Sequence, residues 1–371
     1  MIIGIDGRLA NAAERAGVGN YCAEILRALP VCAKGSALRV YLDAAPQAFF
    51  PLGPEEAELR VLPRRRAWTQ RVLGAELRRD PPAVFWSPVM QLPVRCPCPA
   101  VATVHDLAFL DFGEHFTWWR RMLSRLQARQ VVRTAAHLAA DSEATRRGLE
   151  SHYGVPAEGV TVAWAGCSDR FRLPVSGEVI RAVRERHGLP ERYVLYVGRL
   201  QPRKNIVRLV EAFAQVRSGR PELPQRLVLA GGKGWLYEEI YAAAKRYGVD
   251  AYVHFTGFFP EEDLPALYAG ADVLALVSLW EGFGLPVAEA MACGTAVLCS
   301  DCSSLPEVAG DAAVLVDPMD MDAIAEALER LLIDDAYRAR FEESGPAQAA
   351  LFTWEATAAK LMNVFQKAAG S

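Results

Sequence analysis

No stretch of this 371-residue chain approaches the roughly 20 consecutive apolar residues that a membrane-spanning helix needs. It also lacks a basic lead followed by a long apolar core. Met1-Ile-Ile-Gly-Ile-Asp-Gly-Arg8 carries an acid at position 6 and reads as a strand, not a secretory signal. The eight cysteines fall in no framework spacing, which argues against a disulfide scaffold and for a reducing cytoplasm. Cys299-Ser-Asp-Cys302 lies among small apolar residues with no histidine nearby in sequence. It and Cys96-Pro-Cys98 read as reduced buried thiols, not metal ligands. No internal repeat is visible, which excludes a repeat array. No Gly-x-Gly-x-x-Gly opens a helix after either candidate first strand, which disfavours a dinucleotide dehydrogenase. The net charge of −3 is too small to imply a nucleic-acid partner.

What is present is length, alternation and an uneven distribution of charge. A chain of this length exceeds one comfortable core and calls for two domains. Residues 1–172 hold 22 Lys and Arg against 17 Asp and Glu, while residues 173–371 hold 19 against 27. Short apolar runs alternate with helical patterns throughout, which predicts parallel sheets covered by helices. The strand candidates are 2–5, 38–42, 84–86, 100–104, 137–140 and 160–163, then 193–197, 226–230, 253–256, 273–277, 296–299 and 313–316. A polar stretch with Pro and Gly at 173–190 reads as a linker between domains 1–172 and 191–352. A last helix over about 353–367 completes the chain and could pack on either domain. Two doubly wound domains in series predict a cleft at the carboxyl ends of both sheets, where open α/β sheets bind ligands.

Two segments carry chemistry. In Val197-Gly-Arg-Leu-Gln-Pro-Arg-Lys-Asn205 a strand ends at Gly198, a basic loop follows, and Asn205 can cap a helix starting at Ile206. Arg199 and Lys204 at a helix N-terminus suit a diphosphate, although a solvated basic loop has the same composition. The second segment, Leu279-Trp-Glu-Gly-Phe-Gly-Leu-Pro-Val-Ala-Glu-Ala-Met-Ala-Cys-Gly294, follows the apolar run Ala271-Asp-Val-Leu-Ala-Leu-Val277. Pro286 suits the start of a helix, which puts Glu281 in the loop and Glu289 in the first helical turns. Gly282 and Gly284 permit close backbone approach, and the amides of Phe283, Gly284 and Leu285 are candidates for a phosphate. The carboxylates suit vicinal diols; they could equally be surface acids near a positive helix end.

These residues, taken together, resemble the retaining GT-B glycosyltransferases of family four, the group-one glycosyltransferases. The matching segments are Gly17-Val-Gly-Asn-Tyr21, Val104-His-Asp106, Val197-Gly-Arg199 with Lys204-Asn205, Leu229-Ala-Gly-Gly232, Thr256-Gly-Phe258, Glu281-Gly-Phe-Gly-Leu-Pro-Val-Ala-Glu289 and Ser304-Leu-Pro-Glu-Val308. They span nearly the whole chain in the expected order. The resemblance implies a GT-B fold, two Rossmann-like domains facing across a cleft. The first would be acceptor-side and the second would bind a nucleotide-sugar donor. It implies that Glu289 binds the donor ribose, Glu281 the transferred hexose, and Arg199 with Lys204 the diphosphate. The amides of Phe283, Gly284 and Leu285 would assist, as would those near Gly17 and Gly19 in the first strand–helix loop. His105 would touch the sugar near its 6-hydroxyl, and the backbone near Phe258 would meet the base. Glu281, His105, Arg199 and Lys204 are the implied catalytic set.

No nucleophile for a double displacement is evident. The resemblance implies front-face substitution, with catalysis resting on positioning and on charge stabilisation at the leaving diphosphate. Asp320-Met-Asp322 resembles a metal-binding acidic pair, but it precedes an amphipathic helix where aspartates cap, so no metal and no cofactor are expected. Gly232-Lys-Gly-Trp235 resembles the bacterial surface-polysaccharide branch, which makes GDP-mannose the first donor to consider and a glycan or lipid-linked molecule the acceptor. Trp164-Ala-Gly-Cys-Ser168 departs from the family's frequent Asn-Gly-Val. A sugar-nucleotide epimerase, a phosphorylase and a non-catalytic nucleotide-sugar-binding protein stand as alternatives. Finally, 60–79 holds seven arginines with Trp68, and 117–133 holds five with Trp118 and Trp119. Both fit peripheral contact with an anionic membrane face as well as they fit solvated helices.

Overall fold

Apolar runs separated by helical crossovers pair in parallel within one sheet, and every strand pairing among the described residues is parallel. A computed structural model describes residues 1–13, 17–113 and 117–370. The chain divides into two units: Met1–Gly166 with Phe352–Ser371, and Cys167–Leu351.

The first unit contains β1 (Ile2–Asp6), β2 (Ala37–Leu42), β3 (Ala57–Val61), β4 (Val84–Ser87), β5 (Ala100–Val104), β6 (His137–Ala140) and β7 (Val160–Val162). They form a seven-stranded sheet in the order β3-β2-β1-β4-β5-β6-β7. Every residue of β4 and β5 is buried, which explains why those strands read as unbroken apolar runs. The sequence reading missed β3. Ala57-Glu-Leu-Arg-Val61 is an edge strand whose charged residues pair sideways: Arg60 reaches Glu58, Glu76 and Asp80 at 2.6–2.7 Å.

The second unit contains β8 (Tyr193–Val197), β9 (Arg226–Ala230), β10 (Val253–Gly257), β11 (Val273–Leu276), β12 (Ala296–Ser300) and β13 (Val314–Val316). Their order is β10-β9-β8-β11-β12-β13, so the winding reverses between β8 and β11.

Three boundary expectations change. The stretch 173–190 is not a free linker: it folds as the helix Gly177–His187, capped by Ser176 and stopped by Gly188 at φ +61°. Arg186 and His187 tie it to Asp263 at 2.7–2.8 Å, contacts that sequence spacing could not show. The first unit ends at Gly166, not Arg172, and residue 352 belongs to the first unit. A Cβ at Gly166 would lie 2.4 Å from the Trp354 backbone nitrogen, so only glycine lets the last helix seat there. That helix, Trp354–Gly370, buries Trp354, Leu361 and Phe365 within the first unit, with Phe365 against Trp86 at 5.6 Å between ring centroids. Trp164 packs edge-on to Phe352 at 5.7 Å and accepts the Thr357 hydroxyl on its carbonyl. The departure at 164–168 thus serves this docking. No helix among the described residues is long and apolar enough to cross a membrane.

Candidate functional site

In the second unit β8 and β11 are neighbours whose chains wind away to opposite sides, leaving their carboxyl ends as the switch point where open sheets bind ligands. Gly198 (φ +149°) and Gly231 (φ +158°) let the ends of β8 and β9 touch. A Cβ at Gly231 would fall 1.9 Å from the Gly198 carbonyl oxygen, so both strand ends depend on glycine. Arg199, next along, is exposed and forms no ion pair among the described residues. It presents an uncommitted guanidinium at the switch point.

Asn205 does not act as the expected side-chain cap. Its backbone sits at φ +57°, which turns the side chain away from the helix Ile206–Gly219. The amide instead donates to the carbonyls of Val277 (3.0 Å) and Pro318 (2.7 Å), clamping the basic loop to the segment after β11. Leu279 N–H donates to the Arg203 carbonyl at 2.9 Å, and Arg203 Nη1 donates to the Trp280 carbonyl at 2.8 Å. These bonds place Glu281 against Lys204, whose Nζ donates to both carboxylate oxygens at 2.6 Å. The Ser278 hydroxyl adds a third donor at 2.6 Å, and Arg203 stands 3.9 Å away. Burial by itself would raise the Glu281 carboxyl. The charges of Lys204 and Arg203 and the bonds from Lys204 and Ser278 outweigh it and hold the group below the usual carboxylate range.

After Glu281 the chain turns through Gly284 (φ +104°) into the helix Leu285–Ala292, with Pro286 in the first turn. The Ser304 hydroxyl spans the turn, donating to the carbonyls of Glu281 (3.0 Å) and Phe283 (2.8 Å), and the Glu281 amide donates to Ser303 Oγ. The amides of Gly284 and Leu285 donate no hydrogen bond among the described residues and remain available at the positive helix end. Glu289 lies one turn on. Burial raises its carboxyl above the usual range, against the hydrogen bond from the Tyr268 hydroxyl (2.7 Å) and the charge of Arg170. Phe258 is exposed just beyond β10, where the Gly257 carbonyl accepts the Gly231 amide.

His105 follows β5 in the first unit, and both its ring nitrogens are engaged. Nε2 donates to the Pro88 carbonyl at 2.7 Å, and Nδ1 faces Asp141 Oδ2 at 2.9 Å. Burial disfavours the imidazolium, but the hydrogen bond and charge of Asp141 outweigh it and raise the ring's pKa. The expected contact between this ring and a sugar hydroxyl requires it first to release Pro88 or Asp141. Gly17 and Gly19 lie in the first turn of the helix Gly17–Cys32, not in a loop before it, so amides there are first-turn donors. Asp320 caps the helix Met321–Ile333 by accepting Ala323 N–H at 3.0 Å, and Asp322 accepts from Gln215. Among the described residues no group of three or more His, Cys, Asp or Glu side chains is arranged to hold a metal ion.

The two arginine-rich stretches diverge. In 60–79 the arginines Arg60 and Arg79 are spent on Glu58, Glu76 and Asp80, and Trp68 is buried beneath Arg8 at 4.1 Å from the guanidinium carbon. That stretch offers no aromatic surface. The helix Trp118–Thr134 buries only Ala128 and Val131, and leaves Trp118, Trp119, Met122, Leu123 and Leu126 exposed among its five arginines.

Sequence reasoning named Glu281, Glu289, Arg199 and Lys204 but missed Arg203, Ser278 and Ser303, which surround Glu281, and Tyr268, which holds Glu289. Arg203 lies in the same basic loop, beside Lys204. Tyr268 gave no local signal, because its partner Glu289 is on another helix.

Comparison with known proteins gives the family and the fold. Residues 180–348 match the family described as glycosyl transferases group 1, and residues 15–169 match glycosyltransferase family 4. The O-antigen chain mannosyltransferase B of Escherichia coli is 30% identical over 94% of this chain and 96% of its own length. The serotype-specific mannosyltransferase WbdA of the same species is 37% identical over 50% of this chain and 23% of its own. Among solved structures, sucrose-phosphate synthase from Thermosynechococcus elongatus superposes with a TM-score of 0.78 at 22% identity, covering 99% of this chain and 98% of that one. Anabaena HepE in complex with UDP and glucose gives 0.75 at 21%, covering 99% of each. These structures establish the fold: two parallel-sheet Rossmann-like domains of the GT-B kind.

Proposed function

The chain belongs to the group 1 glycosyltransferases, and on that premise we propose that it moves a hexose from a nucleoside-diphosphate sugar to a glycan or lipid-linked acceptor with retention at the anomeric carbon. Mannose is the first sugar to test and GDP-mannose the first donor, a choice supported by the Escherichia coli O-antigen mannosyltransferase. One observation carries the reading. At the switch point of the second sheet, exposed Arg199 and the open amides of Gly284 and Leu285 accompany a buried, ionised Glu281 bound to Lys204. That combination pairs a diphosphate site with a hydroxyl-binding carboxylate. Arg199, Lys204 and the helix N-terminus stabilise charge as it develops on the leaving diphosphate, which is where such donors contribute most to catalysis. Glu281 orients the hexose, Glu289 takes the ribose diol and the backbone near Phe258 meets the base. His105 contacts the sugar only after its ring is released. No metal is assigned a role.

The test is a calorimetric binding screen of nucleoside diphosphates and their sugars, followed by product analysis with ¹H NMR of the new anomeric centre. Binding of a sugar nucleotide with retained configuration is expected. Failure to bind any sugar nucleotide overturns the reading, and inverted product overturns the retaining mechanism.

We further propose that the acceptor is met at an anionic lipid face of the membrane, on the cytoplasmic side, through the helix Trp118–Thr134. Its exposed tryptophans and leucines interleave with arginines and no acid, which suits an anionic headgroup layer. Co-sedimentation with anionic vesicles should occur at low salt, weaken with added salt, and fall when Arg120, Arg121 and Arg125 are neutralised together. Protein remaining in the supernatant with anionic vesicles at low salt rules this out.

A further inference from the structure

Tyr268 reaches Glu289 from the separate helix Leu264–Ala269, and its position is fixed on every side. The ring is fully buried and meets Phe171 edge-on at 5.8 Å. Its backbone carbonyl accepts the Thr295 hydroxyl at 2.7 Å, and the preceding carbonyl of Leu267 accepts the Tyr193 hydroxyl at 2.7 Å. Asp263, the residue before the helix, accepts from Arg186 Nη1 on both carboxylate oxygens at 2.8 Å, and its Oδ2 meets His187 Nε2 at 2.7 Å. A phenol held this firmly delivers its hydroxyl to one point, and that point is Glu289 Oε2. Burial also keeps the phenol protonated at every working pH, so it is always a donor. Glu289 Oε1 has no hydrogen-bond partner among the described residues.

Resting on the donor-binding reading above, we propose that Tyr268 is a positioning residue for ribose recognition: it holds Oε2 of Glu289 and so leaves Oε1 set to accept from the 2′- and 3′-hydroxyls of the donor nucleotide. The hydrogen bond has a second effect. Burial raises the Glu289 carboxyl and the Tyr268 bond is the largest influence opposing it, so losing the hydroxyl makes the carboxylate easier to protonate.

The measurement is calorimetric affinity for UDP and GDP and for their 2′-deoxy counterparts, on wild type, Tyr268→Phe, Glu289→Gln and the double variant. Thermal unfolding of each variant checks that it is folded. A site built around a substrate hydroxyl discriminates strongly against the analogue that lacks it, so wild type should prefer the ribonucleotide by about tenfold or more. Tyr268→Phe should shrink that preference by about three- to tenfold, the value of one hydrogen bond, chiefly by weakening the ribonucleotide. Glu289→Gln should abolish it, and Tyr268→Phe should then add nothing, because both act through one carboxylate. The residual preference in Tyr268→Phe should also disappear at a higher pH than in wild type. Equal weakening of ribo- and deoxyribonucleotide by Tyr268→Phe, or retention of the full wild-type ratio, overturns the role of Tyr268. A wild type that does not distinguish them overturns the ribose role of Glu289 itself, and the proposal with it.

Discussion

Lys204 Nζ donates to both oxygens of Glu281 at 2.6 Å, joining the basic loop after β8 to the acidic loop after β11. The two side chains are only 13% and 8% exposed, so neither has water to fall back on if the other is removed. A diphosphate that recruits Lys204 must share it with Glu281, whose remaining donors are Ser278 and the more distant Arg203. The proposed diphosphate binding at Lys204 would therefore be coupled to the integrity of this loop pair.

Lys204→Ala should accordingly lose both turnover and stability. Removing one partner of a buried pair typically costs about 3–5 kcal/mol, because the other charge is left desolvated and unmatched. Urea unfolding should show the loss, and Lys204→Met with Glu281→Gln should recover part of it. A Lys204→Ala protein as stable as wild type would contradict the pairing.

Arg199→Ala separates the two effects. The side chain is exposed and has no carboxylate partner among the described residues, so unfolding free energy should change by no more than about 0.5 kcal/mol. Loss of an electrostatic contact to the leaving group should lower kcat/KM by about 2–4 kcal/mol of transition-state stabilisation. Wild-type kinetics in this variant would remove Arg199 from the diphosphate site.

The pH dependence of stability should carry the signature of Glu281. Its folded carboxyl is held below the ordinary value of 4.5, so the unfolded chain takes up its proton first as the solution is acidified. The stabilisation is complete above 4.5 and disappears as pH falls through the lower folded value. The difference in unfolding free energy between wild type and Glu281→Gln should be constant from neutrality to about pH 5 and then shrink. A difference that stays constant down to about pH 3 would show that Glu281 is not ionised through its partners.

Asp320 should behave as a helix cap. Asp320→Ala should cost about 1 kcal/mol of stability and leave kcat/KM unchanged, since its carboxylate serves the Ala323 amide. Transfer should persist in chelator. Activity that vanishes with chelator and returns with Mn²⁺ or Mg²⁺ would assign a metal that the side chains here do not suggest.

Local pattern was enough to read most of the sheets and the positions of Glu281, Glu289, Arg199 and Lys204. Strand runs such as Tyr193–Val197 are buried on both faces, and a glycine turn followed by Pro286 starts a helix wherever it occurs. These features depend on neighbours in the chain. The edge strand Ala57–Val61 escaped because charged residues replace its apolar alternation, and Trp68 looked exposed because nothing nearby announces that Arg8 covers it. The same limit applies within the site. Lys204 and Glu281 are 77 residues apart, and Tyr268 and Glu289 are 21 apart on different helices. Which carboxylate is held below its usual pKa, which is raised above it and which hydroxyl aims it are consequences of burial and of partners brought together only when the strands pair. Residue types and their spacing set the inventory of charges, and the folded packing decided their state.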